Sequence, residues 1–286
     1  MKPVTGLTQV VGVVGWPTRH SLSPHMHNRA FAALGLDWTY VPFPTPPQRL
    51  EQALVGLQAL GVRGVNVIIP HKEAVLAYLD QVEPLARLIG AVNTIVIEPA
   101  CRRGFNTDWS GLGQALQEMG AAPRGRRVCL LGAGGAARAA AALLAQEGAA
   151  AVAVVARRRQ RAQPLGELMA VLAPGMPVSL VAWEAAEAAV RECELVINAT
   201  PVGMWPEVDE SPLPAGWLGP PQVAYDMVYH PEPTRLVAEA RQRGCRAEGG
   251  VSMLAHQGAI GQELWTGQRP PVEVMAAAVR EAQHPG

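Results

Sequence analysis

Short apolar runs alternate with stretches of helical period along the first hundred residues. Val10 to Gly15 is an unbroken apolar run, and a helical pattern follows from about Pro24 to Leu34. A strand near Trp38 to Phe43, a helix from about Pro47 to Leu60 and a strand from Gly64 to Ile69 continue the alternation. A helix from His71 to about Tyr78 then precedes a strand from Val92 to Ile97. Such β/α alternation predicts a mostly parallel sheet with helices on its faces.

Trp109 to Met119 reads as one helix closed by Gly120, and 121–125, Ala-Ala-Pro-Arg-Gly, reads as a linker. A second β/α series opens with Val128 to Leu131 and runs through Ala151 to Ala156, Val178 to Ala182, Leu195 to Asn198 and Val223 to Asp226. Two further helical stretches, Met253 to Trp265 and Pro271 to Glu281, have no strand after them, so they are expected to pack back on the first series. The expectation is therefore two α/β domains. One is formed by residues 1–107 plus 245–286, the other, a doubly wound unit, by residues 108–244.

Composition narrows the partners. A chain of 286 residues with 24 basic and 24 acidic side chains has no global field for nucleic acid or an anionic membrane, which favours a small-molecule partner. Cys101, Cys129, Cys193 and Cys245 are far apart and form no CxxC pair, a pattern that fits a reducing cytoplasm. No apolar run reaches the ~18 residues of a membrane span. Thr8 to Trp16 lacks a basic lead-in and a cleavage site, so it reads as a strand, with the mature chain expected to start at or near Met1.

The strand Val128 to Leu131 runs straight into Gly132-Ala133-Gly134-Gly135-Ala136-Ala137. Gly132 permits a tight turn, Gly134 lets backbone approach a pyrophosphate, and Ala137 allows close helix-to-strand packing. The pyrophosphate would sit on the free N–H groups of the helix start, where the macrodipole favours negative charge. A bare GxGxxA also occurs as an ordinary βα turn, so its context matters. The next strand ends in Arg157-Arg158-Arg159-Gln160-Arg161, where an NAD enzyme usually places an acidic residue. Guanidinium groups grip a 2′-phosphate, each charged hydrogen bond contributing ~1.5 to 3 kcal/mol. NADP is therefore expected over NAD; the plainer account is a solvated helix start, although cations there oppose the dipole.

Polar residues interrupt apolar strands at Ser21-Leu22-Ser23-Pro24, Asn66-Val67-Ile68-Ile69-Pro70-His71-Lys72 and Ala91-Val92-Asn93-Thr94, and Asn106-Thr107-Asp108-Trp109 opens the helix joining the two series. Strand ends of this kind are where an open α/β sheet binds ligands. Plainer readings stand beside this one: Ser21 or Ser23 as a helix cap, Asn66 and Asn93 as turn residues, Asp108 as an N-cap. Lys72 near a helix start is electrostatically disfavoured and needs another reason to be there. His71 reads as a partly exposed helix-start residue. His25 and His27, two apart on a helix, point to different faces and do not form a metal pair.

Taken together these segments resemble the shikimate dehydrogenase family. The resemblance is carried by Ser-x-Ser-Pro at 21–24, Asn-Val-x-x-Pro-x-Lys at 66–72, Gly-Ala-Val-Asn-Thr at 90–94 and Asn-Thr-Asp at 106–108. It continues in Gly-Ala-Gly-Gly-Ala at 132–136, Asn-Ala-Thr-Pro-x-Gly-Met at 198–204, Tyr-Asp-Met-x-Tyr at 225–229, and Gly-Gly-Val-Ser-Met-Leu with Gln257 beyond it. It implies a substrate domain completed by the C-terminal helices around a central Rossmann-like NADP domain, and reversible reduction of 3-dehydroshikimate to shikimate. By position it implies Lys72 and Asp108 as the catalytic pair. Ser21, Ser23, Asn66, Asn93, Tyr229 and Gln257 join them around the substrate. Gly132 to Ala136, Ala156, Arg157, Arg161, Thr200, Met227 and Gly250 fall to the cofactor.

The chemistry agrees with the pair. Hydride delivery to a ketone leaves an alkoxide that needs a proton, and a lysine beside a carboxylate holds one at neutral pH.

Two positions depart from the family pattern. Ile68 stands where threonine is usual, removing a hydroxyl worth ~0.5 to 1.5 kcal/mol as a neutral contact. Ala156 stands where asparagine is usual before the cofactor arginine. Quinate or aminoshikimate as substrate, and a non-catalytic NADP-binding sensor, are the alternatives. Oligomeric state is not set by the sequence, a homodimer being one option.

Overall fold

The computed structural model describes residues 3–283. They fall into two compact units, one from Met1–Thr107 and Ala255–Gly286, the other from Asp108–Leu254. The expected ranges 1–107 and 245–286 begin and end in residues outside the described ones.

The first unit runs β1 (Gln9–Gly15), α1 (Ser23–Ala33), β2 (Trp38–Pro44), α2 (Leu50–Ala59), β3 (Gly64–Val67), β4 (Gln81–Val82), α3 (Pro84–Ile89), β5 (Thr94–Glu98) and β6 (Cys101–Phe105). These strands form one sheet in the order β2-β1-β3-β5-β6-β4. Pairing is parallel for β1 with β2 and β3 and for β4 with β6, while β5 runs antiparallel to both its neighbours. The strand period of two sorts β1 between the faces. Val11 and Val13 pack with Phe31 of α1 and with Trp265, and Val14 packs with Leu50, Leu54 and Leu57 around α2.

Several expectations change here. The helix expected over 71–78 is only a 3-10 turn, Ala74–Tyr78. The Lys72 carbonyl accepts from Val92 N at 2.8 Å and so is spent on the sheet edge instead of a helix. β3 stops at Val67 because the chain folds back at Pro70, which has no N–H to offer, and His71 N bonds the Ile68 carbonyl at 2.9 Å. α2 starts only after a separate 3-10 turn at Pro47–Arg49. The hairpin partner β6 and the short β4 and α3 are additions. α3 nevertheless carries a legible frame: Glu83 accepts from Ala86 N, Pro84 follows it, and Gly90 closes the helix in the left-handed region.

The second unit runs α4 (Asp108–Glu118), β7 (Arg127–Leu131), α5 (Gly135–Gln146), β8 (Ala151–Val155), α6 (Arg159–Leu172), β9 (Val178–Val181), α7 (Ala186–Glu192), β10 (Leu195–Asn198), β11 (Val223–Asp226), α8 (Arg235–Gln242) and β12 (Arg246–Glu248). Its sheet, β12-β11-β10-β7-β8-β9, is parallel throughout. Strand order reverses between β7 and β10, the switch point at whose carboxyl edge such sheets bind ligands. The buried side of α5 is almost all alanine, Ala137 and Ala139 to Ala142 being inaccessible, which lets the helix lie close to its neighbours.

The stretch 121–125 is not a loose linker, since Arg124 bridges to Ala149 and Ala121 N bonds the Leu116 carbonyl at 2.8 Å. The expected break at 244/245 is also corrected. β12 pairs with β11, Arg246 opposite Val223, so residues 245–254 stay with the second unit. Arg-Ala-Glu has no apolar run to announce a strand. The last two helices are α9 (Val251–Thr266), within which the boundary lies, and α10 (Val272–Gln283), which packs on α1.

Candidate functional site

In the first unit the carboxyl end of β3 meets the amino end of β5, Asn66 opposite Thr94, and a directed chain of hydrogen bonds starts there. Tyr40 Oη donates to Asn66 Oδ1 at 2.8 Å and Asn66 Nδ2 to Thr94 Oγ1 at 3.1 Å. Thr94 Oγ1 donates to Asn93 Oδ1 at 3.2 Å, Asn93 Nδ2 to Thr107 Oγ1 at 3.0 Å, and Thr107 Oγ1 to the Gln257 carbonyl at 3.0 Å. Asn93 Oδ1 also takes Thr107 N at 2.7 Å, and Asn93 Nδ2 reaches Gln257 Oε1 at 3.2 Å. Every member is buried. Each bond orients the next group, so the carboxamides are held in one arrangement. Asn66 and Asn93 are thus network residues, not turn residues. Asn66 spends its second amide hydrogen on the Asn93 carbonyl at 3.3 Å, which makes it a support for its neighbours.

Lys72 is half-buried, and its carbonyl is tied to Val92 N next to Asn93. His71 is buried, not partly exposed, its Nε2 within 2.7 Å of the Thr45 carbonyl. Ser23 is buried at the start of α1, but Leu22 occupies the N-cap position and no side chain caps the helix. Ser21 Oγ accepts from Ser23 N at 3.4 Å, so neither serine has the capping role. Ile68 packs on the cluster of Val11, Val13 and Tyr40, its Cγ1 hard against Gly15. Beneath the network His27 stacks on Tyr40 at 4.4 Å, with Nδ1 3.2 Å from Gln262 Oε1. Burial pushes the His27 imidazole down to about 4, so it is neutral. His25, on the same helix, is exposed, and among the described residues no group of His, Cys, Asp or Glu could hold a metal ion.

In the second unit the glycine turn follows β7. Gly132 sits at φ +110°, a conformation other residues rarely adopt, and a Cβ there would come within 3.0 Å of the Ala199 carbonyl. Gly134 is exposed at the N-cap of α5 with open space around it and no side-chain cap, leaving the first-turn N–H groups for an anion. Ala156 is buried at the end of β8, and Arg157, Arg158, Arg159 and Arg161 are exposed beyond it. Across the switch point, Thr200 follows β10, donating from N and Oγ1 to Asn198 Oδ1 at 3.0 and 2.7 Å. Met227 and Tyr229 follow β11, both partly exposed, and desolvation raises the Tyr229 phenol above its ordinary value. Gly250 packs backbone to backbone, since a Cβ there would lie 2.3 Å from the Met227 carbonyl. A bare turn, an uncapped helix start and a cluster of guanidinium groups fit a phosphorylated dinucleotide. Asp108 is buried at the first position of α4.

Thr94 and Thr107 lay inside the quoted motifs, yet their place in the network needed the fold. Tyr40, His27 and Gln262 carried no sequence signal beyond being polar among apolar neighbours. Among the described residues no helix is long and apolar enough to cross a membrane, and the four cysteines are free thiols.

Three family models match the chain: the shikimate dehydrogenase substrate binding domain over residues 13–95, shikimate / quinate 5-dehydrogenase over 114–203, and the shikimate 5'-dehydrogenase C-terminal domain over 250–280. A shikimate dehydrogenase (NADP(+)) of Moorella thermoacetica is 48% identical over 286 residues, covering 99% of this chain and 96% of the relative. A crystal structure of shikimate dehydrogenase in complex with NADP+ matches with a TM-score of 0.92 at 36% identity, covering 99% of this chain and 98% of the other. The Thermus thermophilus enzyme, in complex with NADP(H) and shikimate, matches with a TM-score of 0.87 at 40% identity, covering 96% and 100%.

Proposed function

The chain belongs to the shikimate dehydrogenase family, and from that premise we propose that it is an NADP-dependent shikimate dehydrogenase interconverting 3-dehydroshikimate and shikimate. The observation that carries this reading is the buried, directed chain of hydrogen bonds from Tyr40 through Asn66, Thr94, Asn93 and Thr107 to Gln257, with Lys72 backbone-bonded beside it. A rigid array of carboxamides and hydroxyls suits a small polyol, because a site built to pair hydroxyl groups rejects analogues that lack them.

Ser21, Ser23, Asn93, Tyr229 and Gln257 bind the hydroxyls and carboxylate of the substrate, and Asn66 holds Asn93 and Thr94 in place. NADPH supplies the hydride when bound. Lys72 gives its proton to the alkoxide oxygen in the reducing direction, and Asp108 binds substrate as the second member of the catalytic pair. Arg157 and Arg161 take the 2′-phosphate, with the α5 start on the pyrophosphate and Thr200, Met227 and Gly250 on the nicotinamide side. The free thiols support a cytoplasmic setting.

Initial rates with shikimate, quinate and aminoshikimate, each against NADP and NAD, test the assignment. The expected result is the highest kcat/KM for shikimate with NADP. A higher value for quinate or aminoshikimate reassigns the substrate, and cofactor binding without any change at 340 nm replaces the enzyme by a sensor.

A further inference from the structure

The carboxyl ends of β10 and β11 converge on one carboxylate. Asp226 is wholly buried. Its Oδ1 accepts from Asn198 Nδ2 at 2.9 Å and from Val228 N at 3.0 Å, and its Oδ2 accepts from Thr234 Oγ1 at 2.7 Å. Thr234 is itself the N-cap of α8, its hydroxyl oxygen accepting from Val237 N at 3.3 Å. Asn198 passes the constraint on: its Oδ1 takes both donors of Thr200, and its carbonyl takes Met227 N at 2.9 Å. The Val228 carbonyl in turn accepts from Gly250 N at 2.9 Å.

Thr200, Met227 and Gly250 are therefore each linked, through Asn198 or Val228, to a group that is itself sealed from any ligand. A buried carboxylate is costly to keep, and burial pushes this one up to about 6 against the opposing pull of its hydrogen bonds. Its two oxygens accept from three donors on three segments and so hold those segments together.

We propose that Asp226 is a positioning residue for the nicotinamide half of the cofactor, acting through Asn198 and the 227–229 backbone. The inference rests on the reading that NADP occupies the second unit. Asp226 touches no ligand and sets where Thr200, Met227 and Gly250 stand, leaving the adenosine half to the α5 start and the arginines.

The test compares NADPH with 2′,5′-ADP, which keeps the phosphorylated adenosine and lacks the nicotinamide, on wild type, D226A, D226N and N198A. Calorimetric titration and steady-state rates are read on variants whose circular dichroism and melting show a folded protein. D226A is expected to weaken NADPH about tenfold, equivalent to ~1.4 kcal/mol, and to lower kcat. Its 2′,5′-ADP affinity stays within about twofold of wild type. D226N, which keeps an oxygen for Asn198 and Val228, recovers most of the NADPH affinity. Equal loss of both ligands, or unchanged NADPH affinity and kcat, overturns the inference. If D226A does not fold, N198A decides, because it leaves Asp226 bonded to Thr234 and is expected to show the same split. Wild-type protein that binds neither ligand overturns the cofactor reading, and the inference falls with it.

Discussion

On the function proposed, the two units answer the same demand, holding a polar ligand at the end of a sheet, by opposite means. In the first, neutral side chains form a buried relay from Tyr40 to Gln257, resting on a neutral histidine. In the second, glycines bring backbone close at Gly132 and Gly250 and leave the α5 start open at Gly134, and a buried carboxylate, Asp226, ties together the ends of β10 and β11. The contrast follows from what each must hold. A small polyol is recognised by directional pairs, whereas a dinucleotide is long and charged and needs close backbone approach, a helix start and guanidinium groups.

The largest effect should separate chemistry from binding. Lys72→Ala is expected to lower kcat by ~10² to 10⁴ with shikimate affinity largely kept, the range for loss of a general acid. Wild-type turnover in that variant removes the proton role from the first unit.

Next comes a difference in sign. The folded pKa of His27 lies at about 4, below the ordinary 6.5, so its contribution to stability is present above pH 6.5 and lost as pH falls through 4. Asp226 is raised to about 6 from 3.8, so its contribution is present below pH 3.8 and lost as pH rises through 6. Each is about 3 kcal/mol in scale. Urea denaturation between pH 4 and 6.5 should show H27Q losing stability relative to wild type as pH rises and D226N gaining it. Parallel behaviour of the two variants would break the comparison.

Arg157→Ala is expected to weaken NADPH ~10- to 100-fold and to leave NADH unchanged, as calorimetry can read. An equal loss for NADH would move the 2′-phosphate elsewhere. The smallest effect belongs to Ile68→Thr. The restored hydroxyl should lower the KM for shikimate by a few-fold at similar kcat, the scale of one neutral hydrogen bond. A raised KM would mean that packing of Ile68 on the Val11, Val13 and Tyr40 cluster matters more to the pocket than a donor.

Legibility followed periodicity and turn chemistry. β1, β2, β10 and β11 were plain in the apolar runs, and the βα turn at Gly132 was plain in its glycines. β6 was not, because Cys-Arg-Arg-Gly-Phe has no alternation and its pairing comes from β5. The helix expected at 71–78 failed for a related reason: the competitor for the Lys72 carbonyl is Val92, twenty residues away. β12 was hidden because three residues, two of them charged, carry no period, and only pairing with β11 makes them a strand.

By itself the sequence determined the kind of sheet, the glycine turn before α5, the run of arginines after β8 and the motifs that mark the family. These depend on local period, on glycine's conformational freedom and on side-chain chemistry, all carried by neighbouring residues. The tertiary structure alone decided that Asn66 supports its neighbours, that His27 is neutral beneath Tyr40, that Asp226 gathers two strand ends, and that residues 245–254 join the second unit. Each depends on partners far apart in the chain, and burial and hydrogen-bond direction exist only once those partners meet.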